Sequence, residues 1–378
     1  MVQTKYLIIG GSAAGISAGN TLLRLEPGAK VLCVMGQSAQ PYNKCFLVDW
    51  LAGSKTRTQL DLIVSSQIQF LNNRVVSLDI QAGIASLDNG KQVKYEKALL
   101  AIGVQPFVPE IVGLKQASHV FTFHDLQDTQ KMQNFIQVHK SQNVVIIGAG
   151  LTGVECADAL WRLGLQVTLL ERSSQILGKL ADEAGAQALE AWILEQNVQI
   201  YKNVTVTSIN SNAVTLDSGQ VIPSDLVVIA AGVRPNKIEL VGGELNYLGS
   251  YVQVDQYLQT NLPNVWAAGD MVVLPDLLTG QLVPSCSWPD AMLQGNLAAN
   301  NMVGNVKPFP GLLTIASSHF FGKDFISLGK LNGDWHDLNA TQDSYQKKFF
   351  NNQNKLQGAL LIGDITPYPI IKRTILTQ

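Results

Sequence analysis

The residues of this chain best suited to chemistry form a glycine turn, Gly148-Ala149-Gly150-Leu151-Thr152-Gly153. It lies between an apolar run, Asn143-Val-Val-Ile-Ile147, and Val154-Glu155-Cys156-Ala157. A buried strand ending at a helix start is the setting in which Gly-x-Gly-x-x-Gly describes a dinucleotide site. The first glycine allows the tight turn, the second lets a pyrophosphate approach the backbone, and the third lets helix and strand pack closely. The phosphates then face unpaired N–H groups at the helix start. A second strand, Gln166-Val-Thr-Leu-Leu170, ends at Glu171, about 20 residues on, where a carboxylate accepts from the ribose hydroxyls of NADH. Arg172 follows at once and could swing toward a 2′-phosphate, so NADH is expected to be preferred over NADPH rather than to exclude it. Glycine-rich turns often merely join elements; strand, helix and acid together make this one specific.

The elements that must position this turn recur in the first part of the chain. Tyr6-Leu-Ile-Ile9 runs into Gly10-Gly11-Ser12-Ala13-Ala14-Gly15, a second fingerprint with serine at the middle glycine. A helix over 16–26 ends at Pro27-Gly28, and Lys30-Val-Leu-Cys-Val-Met35 is the next strand. No acid follows it. Gln37 stands nearby and can exchange a hydrogen bond with a ribose, without charge. A later segment repeats as well: Tyr95 to Pro106 and Pro223 to Pro235 are each an apolar strand that breaks at a glycine, Gly103 and Gly232, with proline three residues on. Two dinucleotide-binding modules of similar plan account for this. Each also holds a hairpin, 74–79 with 84–90 and 204–209 with 213–219. Pro308-Phe309-Pro310-Gly311 reads as a linker, and 312–378 alternates in strand fashion between Asn- and Gly-rich turns. The expected fold is α/β: two dinucleotide-binding, Rossmann-like domains plus a small α+β C-terminal domain.

Composition narrows the partners. At 378 residues the chain has room for two or three domains. Charged residues make up 15% and the formal net charge is −2, which points to neither nucleic acid nor an anionic membrane surface. Mean hydropathy is +0.13 without an apolar run of membrane-spanning length. The N-terminus enters a strand at once, leaving no room for a signal peptide, so the cytoplasm is the default expectation. Four dispersed cysteines, Cys33, Cys45, Cys156 and Cys286, form no C-x-x-C, against both a zinc site and a vicinal redox disulfide. Cys33, Cys156 and Cys286 read as core or unremarkable, and His119 and His124 as packing or capping residues.

Taken together, Gly10-x-Ser12-x-x-Gly15, Ala101-x-Gly103, Gly148-x-Gly150-x-x-Gly153-x-Glu155 and Thr260…Gly269-Asp270 resemble the signatures of the FAD-dependent pyridine-nucleotide oxidoreductases. The resemblance covers about residues 4–305. It implies that Gly10, Ser12, Ala13, Ala14 and Gly15 hold the FAD pyrophosphate, with Gln37, Val75, Ala101, Gly103, Gly269 and Asp270 on the same side. It places NAD(P)H on Gly148, Gly150, Leu151, Thr152, Gly153, Glu171, Arg172 and Gly232. The FAD domain is then discontinuous, 1–112 plus 250–307, with the NAD(P)H domain at 113–249 and the C-terminal domain at 308–378. Pro41 to Gly53 resembles the NADH:rubredoxin reductase and nitrite reductase flavoprotein branch, which puts Lys44 at the FAD phosphates. A helix starting near Trp288 is implied to aim its N-terminus at the flavin, where its dipole favours the reduced anion, the alternative being that Trp288 is a core residue beneath the helix.

Two departures follow. The family's Ser-Lys pair beside the flavin corresponds to Val48-Asp49, an acid in place of a base. With Glu155, which the resemblance also puts near the flavin, Asp49 would make a pair of carboxylates sharing a proton; otherwise Asp49 points into solvent. Cys45, in Tyr42-x-x-Cys45, also matches the redox cysteine of coenzyme A disulfide reductases, persulfide reductases and NADH oxidases. The alternative for Cys45 is a small buried hydrophobe. The resemblance implies an FAD enzyme passing electrons from NADH to a small redox carrier of rubredoxin or ferredoxin type, as monomer or homodimer. The rivals are a disulfide, persulfide or oxygen reductase using Cys45, and a non-catalytic FAD/NAD-binding sensor.

Overall fold

The structure is a computed structural model that describes residues 1–36 and 40–378, so Gln37 lies outside the described residues. The described residues form seven α-helices: α1 (Ala13–Leu25), α2 (Leu47–Leu51), α3 (Leu126–His139), α4 (Leu151–Arg162), α5 (Glu183–Glu195), α6 (Trp288–Met302) and α7 (Tyr368–Leu376). The chain divides into two compact units. One comprises Met1–Asn43, Leu60–Gln105 and Arg234–Leu313; the other comprises Lys44–Gln59, Pro106–Val233 and Thr314–Gln378.

In the first unit the strand Val2–Ile9 pairs in parallel with Val31–Val34 on one side and Gln92–Leu100 on the other. All four residues of Val31–Val34 are buried, as expected of a strand covered on both faces. The sheet continues from Gln92–Leu100 into the antiparallel strands Ile84–Leu87 and Val75–Asp79, which are the hairpin expected there. α1 carries a small-residue face, including Ala14, Gly15 and Ala18, and lies against α6. Contact is so close that a Cβ on Gly295 of α6 would stand 2.0 Å from Ala14 O. Only glycine fits there, which accounts for a helix-interior residue that otherwise costs roughly 1 kcal/mol.

The second unit repeats the plan. A five-stranded parallel sheet runs in the order Gln199–Lys202, Gln166–Glu171, Asn143–Ile147, Leu226–Ile229, Val120–Thr122. The second hairpin, Val206–Ile209 with Ala213–Leu216, is antiparallel and gains a third strand, Val221–Pro223. The C-terminal segment is a five-stranded antiparallel sheet followed by α7. Its first hairpin, Ile315–Phe320 and Lys323–Gly329, rests on α4, and Asp182 at the start of α5 takes Lys347 Nζ at 2.7 Å and Tyr345 Oη at 3.2 Å. α2 is also part of this unit: Gln133 Nε2 on α3 donates to Trp50 O at 2.8 Å. Among the described residues no helix is long and apolar enough to cross a membrane.

Candidate active site: two glycine turns and an acidic helix

Both fingerprints form the same backbone device. Gly10 and Gly148 adopt φ of 113° and 108°, where a side chain is strained. A Cβ on Gly10 would lie 2.1 Å from Ala101 O, and one on Gly148 would lie 2.3 Å from Ala230 O. At the third position, a Cβ on Gly15 or Gly153 would reach the carbonyl oxygen of its own turn's first glycine at 1.8 or 2.0 Å. Three backbone bonds match in pairs: Gly10 N–H to Val34 O with Gly148 N–H to Leu170 O, Ala101 to Ile9 with Ala230 to Ile147, and Ile16 to Ser12 with Val154 to Gly150. Nothing lies within 4 Å of a Cβ built on Gly150, so the middle of the second turn is open, as a phosphate needs. Ser12 caps α1 without a side-chain bond to the helix, leaving its hydroxyl for a ligand. The residues of both turns therefore fit the phosphates of FAD and NAD(P)H.

Glu171 is fixed by the backbone. Its Oε2 accepts from Ala149 N–H and its Oε1 from Ser173 N–H, both at 2.8 Å. Ala149 O in turn accepts from Leu177 N–H at 2.9 Å. Strand end, turn and following loop are thereby tied together around one carboxylate, whose remaining lone pairs are free for ribose hydroxyls. Arg172 beside it is exposed. Leu151 and Thr152 open α4, and Gly232, at φ 106°, lies two residues after Ala230 with open space around it.

α4 carries the acids. Ser318 Oγ donates to Glu155 Oε1 at 2.6 Å. Glu155 still reaches solvent in part, yet burial pushes its pKa up to about 7, against the hydrogen bond from Ser318 and with help from the like charge of Asp158. Asp158 is buried, pairs with Arg162 at 2.9 Å, and accepts from Phe321 N–H at 2.8 Å. Of the two readings of Asp49, a proton shared with Glu155 or a place at the surface, the ion pairs it makes favour the second. Asp49 lies 3.7 Å from Arg162 Nη1 and 3.8 Å from Lys55 Nζ, and its side chain is about a third exposed. The carboxylate that repels Glu155 is Asp158, because helical spacing puts residues three apart on one face.

In the first unit, Ala101 and Val75 are buried and Gly103 takes φ 62°. Gly269 N–H donates to Gln294 Oε1 at 2.7 Å, and Gln294 Nε2 donates to Ser285 Oγ at 2.6 Å. α6 thus holds the loop that presents Asp270. That helix starts at Trp288, as expected, with Ser287 as its N-cap. Lys44 Nζ stands 3.2 Å from His124 Nε2, both in the second unit. Cys45 is exposed in the short 3₁₀ turn Lys44–Phe46, which removes the reading as a buried hydrophobe; Cys286 is exposed too, while Cys33 and Cys156 are buried. His119 is buried with Nε2 lacking a partner, so it packs rather than caps. An open cavity of about 410 Å³ beside α3, lined by Ile136, Lys140 and Leu163 among others, contains none of the expected site residues.

Sequence reasoning missed Asp158, Gln294, Gly295 and Ser318. Two left a trace: Asp158 interrupts the apolar positions Val154, Ala157 and Trp161, and Gly295 sits inside a helix. Gln294 and Ser318 left none, since their partners are distant in sequence.

Two such turns define an α/β protein with a pair of nucleotide cradles. The model of the pyridine nucleotide-disulphide oxidoreductase family matches residues 4–295, and the chain belongs to that family. It is accordingly an NAD(P)H oxidoreductase, and membership implies a flavin. The chain is 29% identical to the NADH-dependent phenylglyoxylate dehydrogenase subunit epsilon of Aromatoleum evansii, over 86% of this chain and 79% of the relative. It is 25% identical to the rubredoxin-NAD(+) reductase of Pseudomonas putida, over 80% and 81%. Its fold is similar to the structure of Bacillus anthracis CoADR-RHD in the reduced state, at TM-score 0.92 and 22% identity, over 100% of this chain and 74% of that one.

Proposed function

We propose that this chain takes hydride from NADH and passes the electrons, through bound FAD, to a small redox protein of rubredoxin or ferredoxin type. The observation that carries the NADH half is Glu171, held by two backbone N–H groups at the end of its strand. A carboxylate fixed there accepts from a 2′-hydroxyl and repels a 2′-phosphate. The isoalloxazine supplies the switch from hydride to single electrons. The chain's own residues bind and orient: Gly10 to Gly15 and Asp270 toward FAD, and Gly148 to Gly153 toward the coenzyme. Glu155 keeps a proton at hand near neutral pH, and the electron-carrier acceptor is supported by the likeness to the rubredoxin-NAD(+) reductase.

The exposed Cys45 favours one second reading, in which its thiolate attacks a disulfide or persulfide. Stopped-flow reduction by NADH, followed by reoxidation with rubredoxin, coenzyme A disulfide or persulfide, or oxygen, separates the two. Rapid rubredoxin reduction that survives Cys45→Ser supports the carrier reading. Turnover of the sulfur substrate alone, lost in Cys45→Ser, overturns it. The domain limits 1–112 plus 250–307, 113–249 and 308–378 belong to the same proposal.

A further inference from the structure

The two acids of α4 are gripped from outside the helix by one hairpin. Ser318, in the strand Ile315–Phe320, donates to Glu155, and the Phe321 N–H at the hairpin tip donates to Asp158. Phe321 adopts φ 52°, a left-handed conformation unusual for so bulky a residue. Gly322 follows with φ 74°, which makes a tight turn. The Phe321 ring lies 5.5 Å from that of Trp161 on α4, so ring contact and hydrogen bond together hold the strained tip in place. The hairpin is docked at two points, and one of them is the Glu155 carboxyl.

The charged groups around Glu155 are few. On α4 itself they are Asp158 and, one turn further, Arg162, which is engaged by Asp158 and by Asp49 of α2. On the hairpin, Lys323 pairs with Asp343 at 3.3 Å, and His319 Nδ1 lies 2.8 Å from Asp324 Oδ1. Among the described residues no cation stands within ion-pair distance of Glu155. The Ser318 hydroxyl is therefore the group that compensates its charge.

We propose that Ser318 is a positioning residue for Glu155: its hydroxyl holds the carboxyl in one rotamer and favours the ionised form. This deepens, and rests on, the reading of Glu155 as the proton-holding group of the nucleotide site. Through this bond the C-terminal sheet, outside both nucleotide turns, sets the pH at which the site gives up a proton. The direction follows from general chemistry, since a donor to a carboxylate stabilises the charged state and opposes the burial that raises Glu155.

The test uses the flavin-loaded full chain with ¹³C-carboxyl-labelled glutamate, the Glu155 signal being assigned by its loss in Glu155→Gln. In Ser318→Ala the Glu155 midpoint moves up by about one pH unit. The pH profile of flavin reduction by NADH moves with it, and Ser318→Thr restores both. Should the alanine variant fail to fold, Ser318→Cys, a weak donor of similar size, shows the same upward shift. An unchanged Glu155 midpoint in a folded variant overturns the proposal, as does failure of threonine to restore it. A midpoint that moves while the reduction profile stays fixed upholds the Ser318–Glu155 bond and overturns Glu155 as the group serving NADH.

Discussion

The first and second glycine turns share one pattern of backbone bonds and close approaches, yet their surroundings differ. Each has the left-handed first glycine, the third glycine touching the first, and the same three backbone hydrogen bonds. The first turn has serine in the middle, and its second strand, Val31–Val34, is followed by Met35 and no acid. Its helix, α1, is covered by another helix, α6, through small side chains. The second turn is open at Gly150, is locked by Glu171, and its helix is covered by a β-hairpin that engages two carboxylates. The turn geometry is a generic cradle for a pyrophosphate. On the function proposed above, selectivity and proton chemistry come from the strand end beside it and from whatever packs on its helix.

The largest effects come from breaking the shared geometry. Gly15→Ala and Gly153→Ala each force a Cβ to within 2.0 Å of a backbone carbonyl that cannot move without disturbing its turn. Each variant is expected to lose about 3 kcal/mol or more, read from denaturant midpoints. Gly15→Ala loses bound flavin; Gly153→Ala keeps it but no longer responds to NADH. Gly150→Ala is the control, with open space around it and ordinary φ: stability stays within about 0.5 kcal/mol while KM for NADH rises about tenfold or more. Equal losses of flavin in both third-glycine variants would break the assignment of one nucleotide to each turn.

Glu155 gives the next effect, and its sign is fixed by linkage. Its pKa is raised from 4.5 to about 7 in the folded protein, so the native state binds the proton more tightly than the unfolded chain does. The stabilisation is complete below about pH 4.5, declines as pH rises, and is gone above about pH 7; the difference amounts to about 3 kcal/mol. Glu155→Gln, compared with the parent across pH 4 to 8, should therefore gain relative stability at the alkaline end. Parallel curves would mean that Glu155 titrates as an ordinary surface carboxyl. Asp158→Asn, by removing a like charge, moves the parent's midpoint down.

Much of this was legible because it is local. The fingerprints, the acid at Glu171, both hairpins and the start of α6 at Trp288 are patterns over a dozen residues or fewer, in which turn chemistry and periodicity act directly. What was not legible is the pairing of side chains far apart in sequence. Nothing near Glu155 announces Ser318, and Gln294 reaches Gly269 only because α6 folds back on that loop. The grouping of Lys44–Gln59 with the second unit is of the same kind, since α2 is too short to declare its partners. A motif alone leaves Asp49 open between a pair with Glu155 and the solvent. The alternative cations, Lys55 and Arg162, become visible only once α2 lies on α4.

A smaller effect sharpens the contrast at the strand ends. Glu171→Gln keeps one carbonyl-type acceptor for Ala149 or Ser173 but not both, and loses the charge that repels a 2′-phosphate. The ratio of kcat/KM for NADH over NADPH should fall about tenfold or more, equivalent to about 1.4 kcal/mol. Adding Arg172→Ala then separates the two neighbours: if Arg172 assists NADPH, the double variant recovers part of the lost ratio. A ratio that already favours NADPH in the parent would mean that Arg172, not Glu171, governs the pocket.

The smallest effect belongs to Asp49. It meets Arg162 and Lys55 at 3.7 and 3.8 Å with about a third of its side chain in solvent, and Ser54 Oγ adds a long bond at 3.3 Å. Ion pairs of that length and exposure contribute about 0–1 kcal/mol, because water and salt screen them and ordering two long side chains costs entropy. Asp49→Asn should thus change stability by less than about 1 kcal/mol, and less still at high salt. Arg162 keeps its closer partner Asp158 at 2.9 Å, so the electrostatics reaching Glu155 are left nearly intact. The flavin midpoint potential and its slope with pH should be unchanged in this variant. A changed slope would restore Asp49 to the neighbourhood of Glu155 and, with it, a shared proton; an unchanged slope leaves the acid of α2 as a surface anchor for the Arg162 end of α4.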